Sequence, residues 1–388
     1  MMQTIVDYGL VCSIGSGRQE VADRLFSSKR TGLKPHVLSN GKKTFTGAIQ
    51  SPLADFPENF DALKTRNNRL LYTIFKQIEP SFSRLSEGLN KSRIGIVIGT
   101  STSGISDVEE AFVYKQKNGT FPVDYHYKKH EMGSPSEFLQ KVTGSHGPAY
   151  TVSCACSSGS KALASASRLL SSGICDLVVT GGVDTLCDLT LLGFDSLEVI
   201  SENPCLPFSK NRRGINIGEG GALFLMTNEK GRLNLIGFGE SSDAHHHSAP
   251  EPHGKGAVQS MQSALNTAGL SRQDIDYINL HGTGTLQNDS MEAIAVNELF
   301  DSAVPCSSTK SLTGHTLGAA GALEAAFSLL SIENNLTPVH HWDSAQDKEI
   351  PQLNLLDNSS SVKEVRTVMS NSYAFGGNNC TLILGGNI

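Results

Sequence analysis

Apolar residues in this chain come in short runs that end on or near glycine. Ile94–Gly99 reads Ile-Gly-Ile-Val-Ile-Gly, and residues 176–182, 275–280 and 381–385 have the same character. Runs of this length predict strands buried on both faces. Between them lie stretches dominated by Ala, Ser, Gly and Leu, notably residues 156–171 and 319–334, which predict helices. Neither carries many charges on any face, so both are expected to be surrounded by protein and closely packed, against each other between sheets. Strands alternating with such helices predict an α/β fold with helix-covered sheets.

A faint internal repeat accompanies this alternation. Ala162-Leu163 and Leu169-Leu170 recur at the same spacing as Ala322-Leu323 and Leu329-Leu330, and Gly99-Thr100-Ser101-Thr102 resembles Gly282-Thr283-Gly284-Thr285. Residues 201–221, rich in Gly, Pro and Asn, predict a loop. A boundary near residues 228–231 would divide the chain into halves 1–228 and 229–388.

The chain has 388 residues, enough for two domains or one large duplicated fold. A hydrophobic content of 38% marks it as globular, and a net charge of -6 argues against nucleic-acid binding. It lacks an apolar stretch of the ~18 residues that a membrane span needs. The N-terminus has no basic leader and carries Asp7 inside its apolar run, so no signal peptide is expected. Eight scattered cysteines do not form a disulfide framework and fit a reducing cytoplasm.

Against this background four segments carry more polar chemistry than packing requires. Cys156 follows a short apolar run and a string of tiny residues, then opens a helix. A thiol there faces the positive end of the helix dipole and free N–H groups, which favour thiolate and lower the thiol from ~8.5 toward ~3.5–7.5. His281 directly follows a strand and is flanked by Gly282, Thr283, Gly284 and Thr285, with Glu292 beyond. It therefore projects from the carboxyl end of a strand, where α/β folds place their sites. Lys310 precedes Gly314-His315, and Glu324 lies in the next helix. Phe375-Gly376-Gly377 stands before the last strand, where a glycine pair lets backbone N–H groups approach a ligand. Singly each has an ordinary structural explanation; together, a helix-start Cys and two His in Gly/Thr loops point to one reaction centre.

On these motifs the chain resembles a β-ketoacyl-acyl carrier protein synthase, a type II condensing enzyme of the thiolase superfamily. Residues 152–159 resemble the family's active-site Cys segment. His281-Gly282-Thr283-Gly284-Thr285 resembles the first His motif, and Lys310 with residues 314–321 the second. Phe375-Gly376-Gly377 with Asn379 resembles the C-terminal glycine motif, and residues 207–214 with 218–220 the loop joining the halves. The resemblance implies a duplicated thiolase-like fold, a five-layer α-β-α-β-α sandwich, and decarboxylating Claisen condensation of an acyl chain held on Cys156 with malonyl-acyl carrier protein. It makes Cys156 the nucleophile and His281 and His315 the donors to the enolate oxygen. The backbone N–H groups of Cys156 and Phe375 would form the second oxyanion site. Lys310 would fix the charge around His315 together with Glu324, and Phe375 would gate the acyl pocket.

Thr283 and Thr285 suit the phosphopantetheine arm, which arrives on the carrier protein; no resident cofactor or metal is implied. The implied partners are acyl carrier protein and a second chain, giving a homodimer or a heterodimer with a chain-length factor. An elongating role in fatty-acid, polyketide or aryl polyene synthesis fits, and the modest length hints at a specialised pathway. Chain-length factors lack the nucleophile, whereas thiolases pair His with a second catalytic Cys. A non-catalytic partner subunit is thus the alternative reading.

Some signals lie outside this picture. Arg213 stands where the family's joining loop has an acid. Cys154 is either an inert core thiol or an oxidation partner of Cys156. Lys64, Arg66 and Arg69 form a basic cluster at helical spacing, either a solvated face or a docking patch for the acidic carrier. His245-His246-His247 and His340-His341 read as solvated loops, since neighbouring side chains cannot all face one ion.

Overall fold

The computed structural model describes residues 2–27, 29–357 and 362–386. Apart from Gly15–Ser16 and a separate hairpin of Lys34–Val37 with Lys43–Thr46, the N-terminal half gives five strands to the large sheet: β1 (Gln3–Cys12), β2 (Ile94–Gly99), β3 (Ala149–Val152), β4 (Leu177–Asp184) and β5 (Gly220–Thr227). The C-terminal half supplies β6 (Leu233–Ser242), β7 (Tyr277–Asn279), β8 (Pro305–Ser307), β9 (Asn354–Leu355), β10 (Thr367–Ala374) and β11 (Asn378–Gly386). The first set runs in the order β1-β5-β4-β2-β3, the second β6-β11-β10-β7-β8-β9, and β1 pairs antiparallel with β6 to join them.

The five strands of the first order correspond to the first five of the second, which adds β9 at its edge. In each half the first two neighbouring pairs are antiparallel and the next two parallel. The Gly-Thr-x-Thr segments follow β2 and β7, which occupy the same place in the two orders. The fold is therefore duplicated, as the sequence repeat indicates, with residues 228–232 turning between β5 and β6.

Six helices complete the layers. On the outer face of the first sheet lie α1 (Arg66–Ser86) and α2 (Ser134–Thr143). The second sheet is covered by α4 (Lys255–Ala268), with α5 (Leu286–Phe300) packed beside it. Between the sheets α3 (Ser158–Ser171) and α6 (Ala320–Asn334) pack against each other. Their composition makes this possible. A Cβ on Gly159 would stand 2.7 Å from the Ala322 amide nitrogen, too near for any side chain. Thirteen of the fifteen α6 residues are buried, including Ser328 and Ser331, whose hydroxyls donate to Glu324 and Phe327 carbonyls one turn back. The central layer thus holds the halves at close range, and the segments that precede α3 and α6 meet at one end of it.

Candidate active site

The nucleophile segment leaves β3 at Val152 and reverses within four residues. Ala155 adopts a left-handed backbone, φ 47°, which costs a non-glycine residue about 1–2 kcal/mol. Local hydrogen bonds offset this. The Ser158 hydroxyl accepts from the Cys154 N–H at 2.9 Å and donates to the Ala155 carbonyl at 2.6 Å, while the Ser157 hydroxyl donates to the Cys154 carbonyl at 2.9 Å. Cys156 therefore sits just ahead of α3, buried but reaching a cavity.

A neighbouring carboxylate braces the turn. Asp184, at the end of β4, accepts from the Thr100 hydroxyl at 2.5 Å, the Thr102 hydroxyl at 2.8 Å and the Ser101 and Thr102 N–H groups. The Ser101 hydroxyl in turn donates to the Ala155 carbonyl at 3.2 Å. Asp184 is wholly buried, and burial raises its carboxyl against those donors. Sequence reasoning missed it; the available signal was an acid closing an otherwise apolar strand.

Carboxylates shape the His281 loop too. The N–H groups of His281 and Gly282 donate to Glu292 at 2.8 and 2.7 Å, and those of Thr283 and Gly284 to Asp289. Burial pushes Glu292 up to about 8 against the two amides. His315 is held by the joining loop, where its N–H donates to the Asn216 carbonyl at 2.7 Å and its carbonyl accepts from Gly218 at 2.9 Å.

These loops converge on one point. His315 Nε2 lies 3.1 Å from Cys156 Sγ, and the sulfur and one nitrogen of each imidazole fall within 4.8 Å of one another. The two rings stand 5.3 Å apart at 83°. Such a trio is also a possible metal-ligand set. Its 3.1 Å contact, however, is a hydrogen-bond distance, shorter than the ~3.5 Å between S and N ligands on tetrahedral zinc.

The position of Lys310 extends the sequence reading: its charge acts on His315 and it pairs with Glu324, as expected, but its direct bonds to a histidine segment go elsewhere. Its amine donates to His281, not His315, reaching the Nδ1 atom at 3.3 Å and the His281 carbonyl, and it pairs with Glu324 in the buried interior. An ammonium has no acceptor, so His281 Nδ1 accepts and its proton sits on Nε2. Burial pushes Glu324 up to about 7 against the pull of Lys310. Burial, followed by Lys310, holds both imidazoles well below the ordinary histidine value, so both are neutral.

The thiolate expectation is overturned. Burial pushes the Cys156 thiol up to about 11, against the lowering effects of Lys310 and of the Phe375 and Cys156 backbone N–H groups. A helix dipole supplies at most ~2 kcal/mol, ~1.4 pKa units. Removing a thiolate from water costs more here, so the resting site pairs a neutral thiol with a neutral imidazole. The sign is testable: the folded thiol keeps its proton below about pH 11. Iodoacetamide alkylation of Cys156, followed by mass, should rise about tenfold per pH unit from pH 7 to pH 10. A plateau below pH 8 would show that thiolate already dominates.

The centre lies at the inner end of a cavity of about 510 Å³. Phe375 lines it and faces Phe194 at 5.7 Å. Thr283 and Thr285 line the same cavity, their hydroxyls 3.0 Å apart. Gly376 and Gly377 do not present amides to a ligand: at φ 82° and 71° they form a tight turn, and their N–H groups donate to the His247 and Ala374 carbonyls. The turn follows Phe375, whose backbone N–H lowers the Cys156 thiol.

The basic cluster is less available than its sequence implies. Arg66 is clamped on Glu219, which is buried, while Lys64 pairs with Asp61 at 2.6 Å and Arg69 with Asp55 at 3.0 Å. His246 is exposed, its Nδ1 accepting from the Ser248 and Ala249 N–H groups, as expected of a loop. His340, by contrast, is buried, bonded to Ser308 N–H and the Pro207 carbonyl, so it is a structural strut and not a solvated residue. Cys154 is half-buried and in no disulfide with Cys156.

Comparison with known proteins agrees with this geometry. Residues 22–231 match the β-ketoacyl synthase N-terminal domain and residues 234–341 the C-terminal domain. A 3-oxoacyl-[acyl-carrier-protein] synthase 2 of Rhizobium meliloti is 35% identical over 75% of this chain and 73% of its own. That of Coxiella burnetii is 29% identical over 98% and 97%. A solved structure, the ketosynthase ApeO in complex with its chain length factor ApeC from Xenorhabdus doucetiae, contains a chain that superposes with TM-score 0.94. It is 42% identical and covers 100% of this chain and 98% of its own. The chain belongs to the β-ketoacyl synthase family and has its thiolase-like fold. It is a ketosynthase, an acyltransferase-type enzyme.

Proposed function

We propose that this ketosynthase elongates acyl chains by decarboxylating Claisen condensation. The observation that carries the reading is the meeting of one sulfur and two neutral imidazoles at the inner end of a single cavity. An acyl thioester first transfers to Cys156: the sulfur attacks the carbonyl, and its proton leaves with the carrier thiol. Malonyl carrier then binds and loses CO2, leaving an enolate whose thioester oxygen accepts from His281 and His315. Neutral imidazoles suit this role, and His281 has its Nε2 proton set by Lys310. The enolate carbon attacks the acyl-Cys. The resulting oxyanion would accept from the Cys156 and Phe375 amides, which already favour negative charge on the resting sulfur, and collapse expels Cys156 as a thiolate that regains a proton from solvent. The test is intact mass after mixing with acyl carrier protein: one acyl group on Cys156 supports the reading, and no adduct refutes it.

Acyl carrier protein would deliver both substrates, with Thr283 and Thr285 beside the pantetheine arm. Lys64 and Arg69, each over 40% exposed, remain candidate docking cations. Reversing both charges should raise KM for carrier substrates about tenfold at low salt without altering the fold. Unchanged KM would remove this patch from the docking surface. The enzyme would act as a dimer, with a second copy or with a chain-length-factor-like chain such as the one that accompanies ApeO. Cytoplasmic residence fits its eight cysteines, all free, and no helix among the described residues is long and apolar enough to cross a membrane.

A further inference from the structure

Arg213 has a place in the cavity that the chemistry above does not use. It lines the space that holds Cys156, yet it is exposed, whereas the sulfur and both imidazoles are buried. It thus marks the outer end of the cavity. Its neighbour Arg212 is engaged, pairing with Asp347 at 2.6 Å and the Ser290 hydroxyl at 3.0 Å. Among the described residues Arg213 has no carboxylate within ion-pair distance, and its one recorded bond runs from Nη1 to the Arg212 carbonyl at 3.0 Å. Four of its five N–H donors are therefore open to a ligand.

The backbone fixes where those donors stand. The Gly214 N–H donates to the Gly284 carbonyl at 2.9 Å, which lays Arg213 alongside the Thr283-Gly284-Thr285 segment. Exposure along that segment falls inward: Leu286 and Gln287 are exposed, Thr285 is intermediate, and Thr283 and His281 are buried. Passing inward, a thin ligand meets a guanidinium, then two hydroxyls, then the reacting sulfur.

We infer that Arg213 binds the phosphodiester of the incoming phosphopantetheine arm at the cavity mouth. The inference rests on the condensing function proposed above. A planar guanidinium donates to phosphate oxygens in pairs, while the arm's amides need only neutral partners such as the threonine hydroxyls.

The test separates phosphate from protein and from fold. Acyl transfer to Cys156 is measured with acyl-pantetheine, acyl-phosphopantetheine and acyl-carrier protein, in wild type, Arg213→Gln, Arg213→Glu and Arg213→Lys. The readout is the ratio of kcat/KM for acyl-phosphopantetheine to that for acyl-pantetheine, which cancels any general loss of folding. It should fall about 10- to 100-fold in Arg213→Gln, further in Arg213→Glu and least in Arg213→Lys. Ratios within twofold of wild type overturn the inference. So does a loss seen only with the intact carrier, which would assign Arg213 to protein docking. If wild type transfers no acyl group from any of the three donors, the condensing function itself fails, a result distinct from the others.

Discussion

Replacing Cys156 with alanine should abolish acyl loading, with intact mass unchanged after incubation with acyl carrier protein. Condensation should fall by at least about 10³-fold, the scale on which loss of a covalent nucleophile is felt. Serine is the sharper test. The thiol at rest is protonated up to about pH 11, so attack requires its proton to move as the bond forms. A serine hydroxyl is a far weaker acid, and the neutral His315 beside it would have to act as base alone. Cys156→Ser should therefore load acyl groups too slowly to support turnover. Full condensing activity in that variant would remove Cys156 from the centre of the mechanism.

The second large effect separates the two half-reactions. His281→Ala and His315→Ala should each lower CO2 release from malonyl carrier by about 10²–10³-fold, the effect of deleting one preorganised donor to a developing oxyanion. Acyl loading, read by mass, should persist in both. It should suffer more in His315→Ala, because His315 touches the sulfur whereas His281 is tied to Lys310. Equal losses of loading and CO2 release in both variants would mean that the imidazoles support the nucleophile and not the enolate.

These expectations depend on burial, a quantity that residue order conveys poorly. The pattern around residues 149–171 announces strand, turn and helix, and it places a thiol at the helix start. The sign of the pKa shift follows from how completely water is excluded there, which depends on β10, the Phe375 turn and α6 arriving from the other half. The same holds for Lys310. In sequence it stands closer to His315, yet folding brings its amine to His281 and Glu324. Arg66 looks free at helical spacing until Glu219 arrives from the joining loop. His340 looks like loop until Ser308 and Pro207 close on it. Asp184 was hidden for the opposite reason, since a single acid at a strand end has no periodicity to reveal it.

What the chain carries by itself is local: glycine-ended strands, two small-residue helices able to touch backbone to backbone, a repeated order, and five ordered motifs sufficient to place it in its family. Those features need only near neighbours and the periodicity of helix and strand. Tertiary structure decided which charges meet and which groups lose water. Coulombic pairing and desolvation are set by distances between residues far apart in the chain, and only the packed sheets and central helices fix those distances.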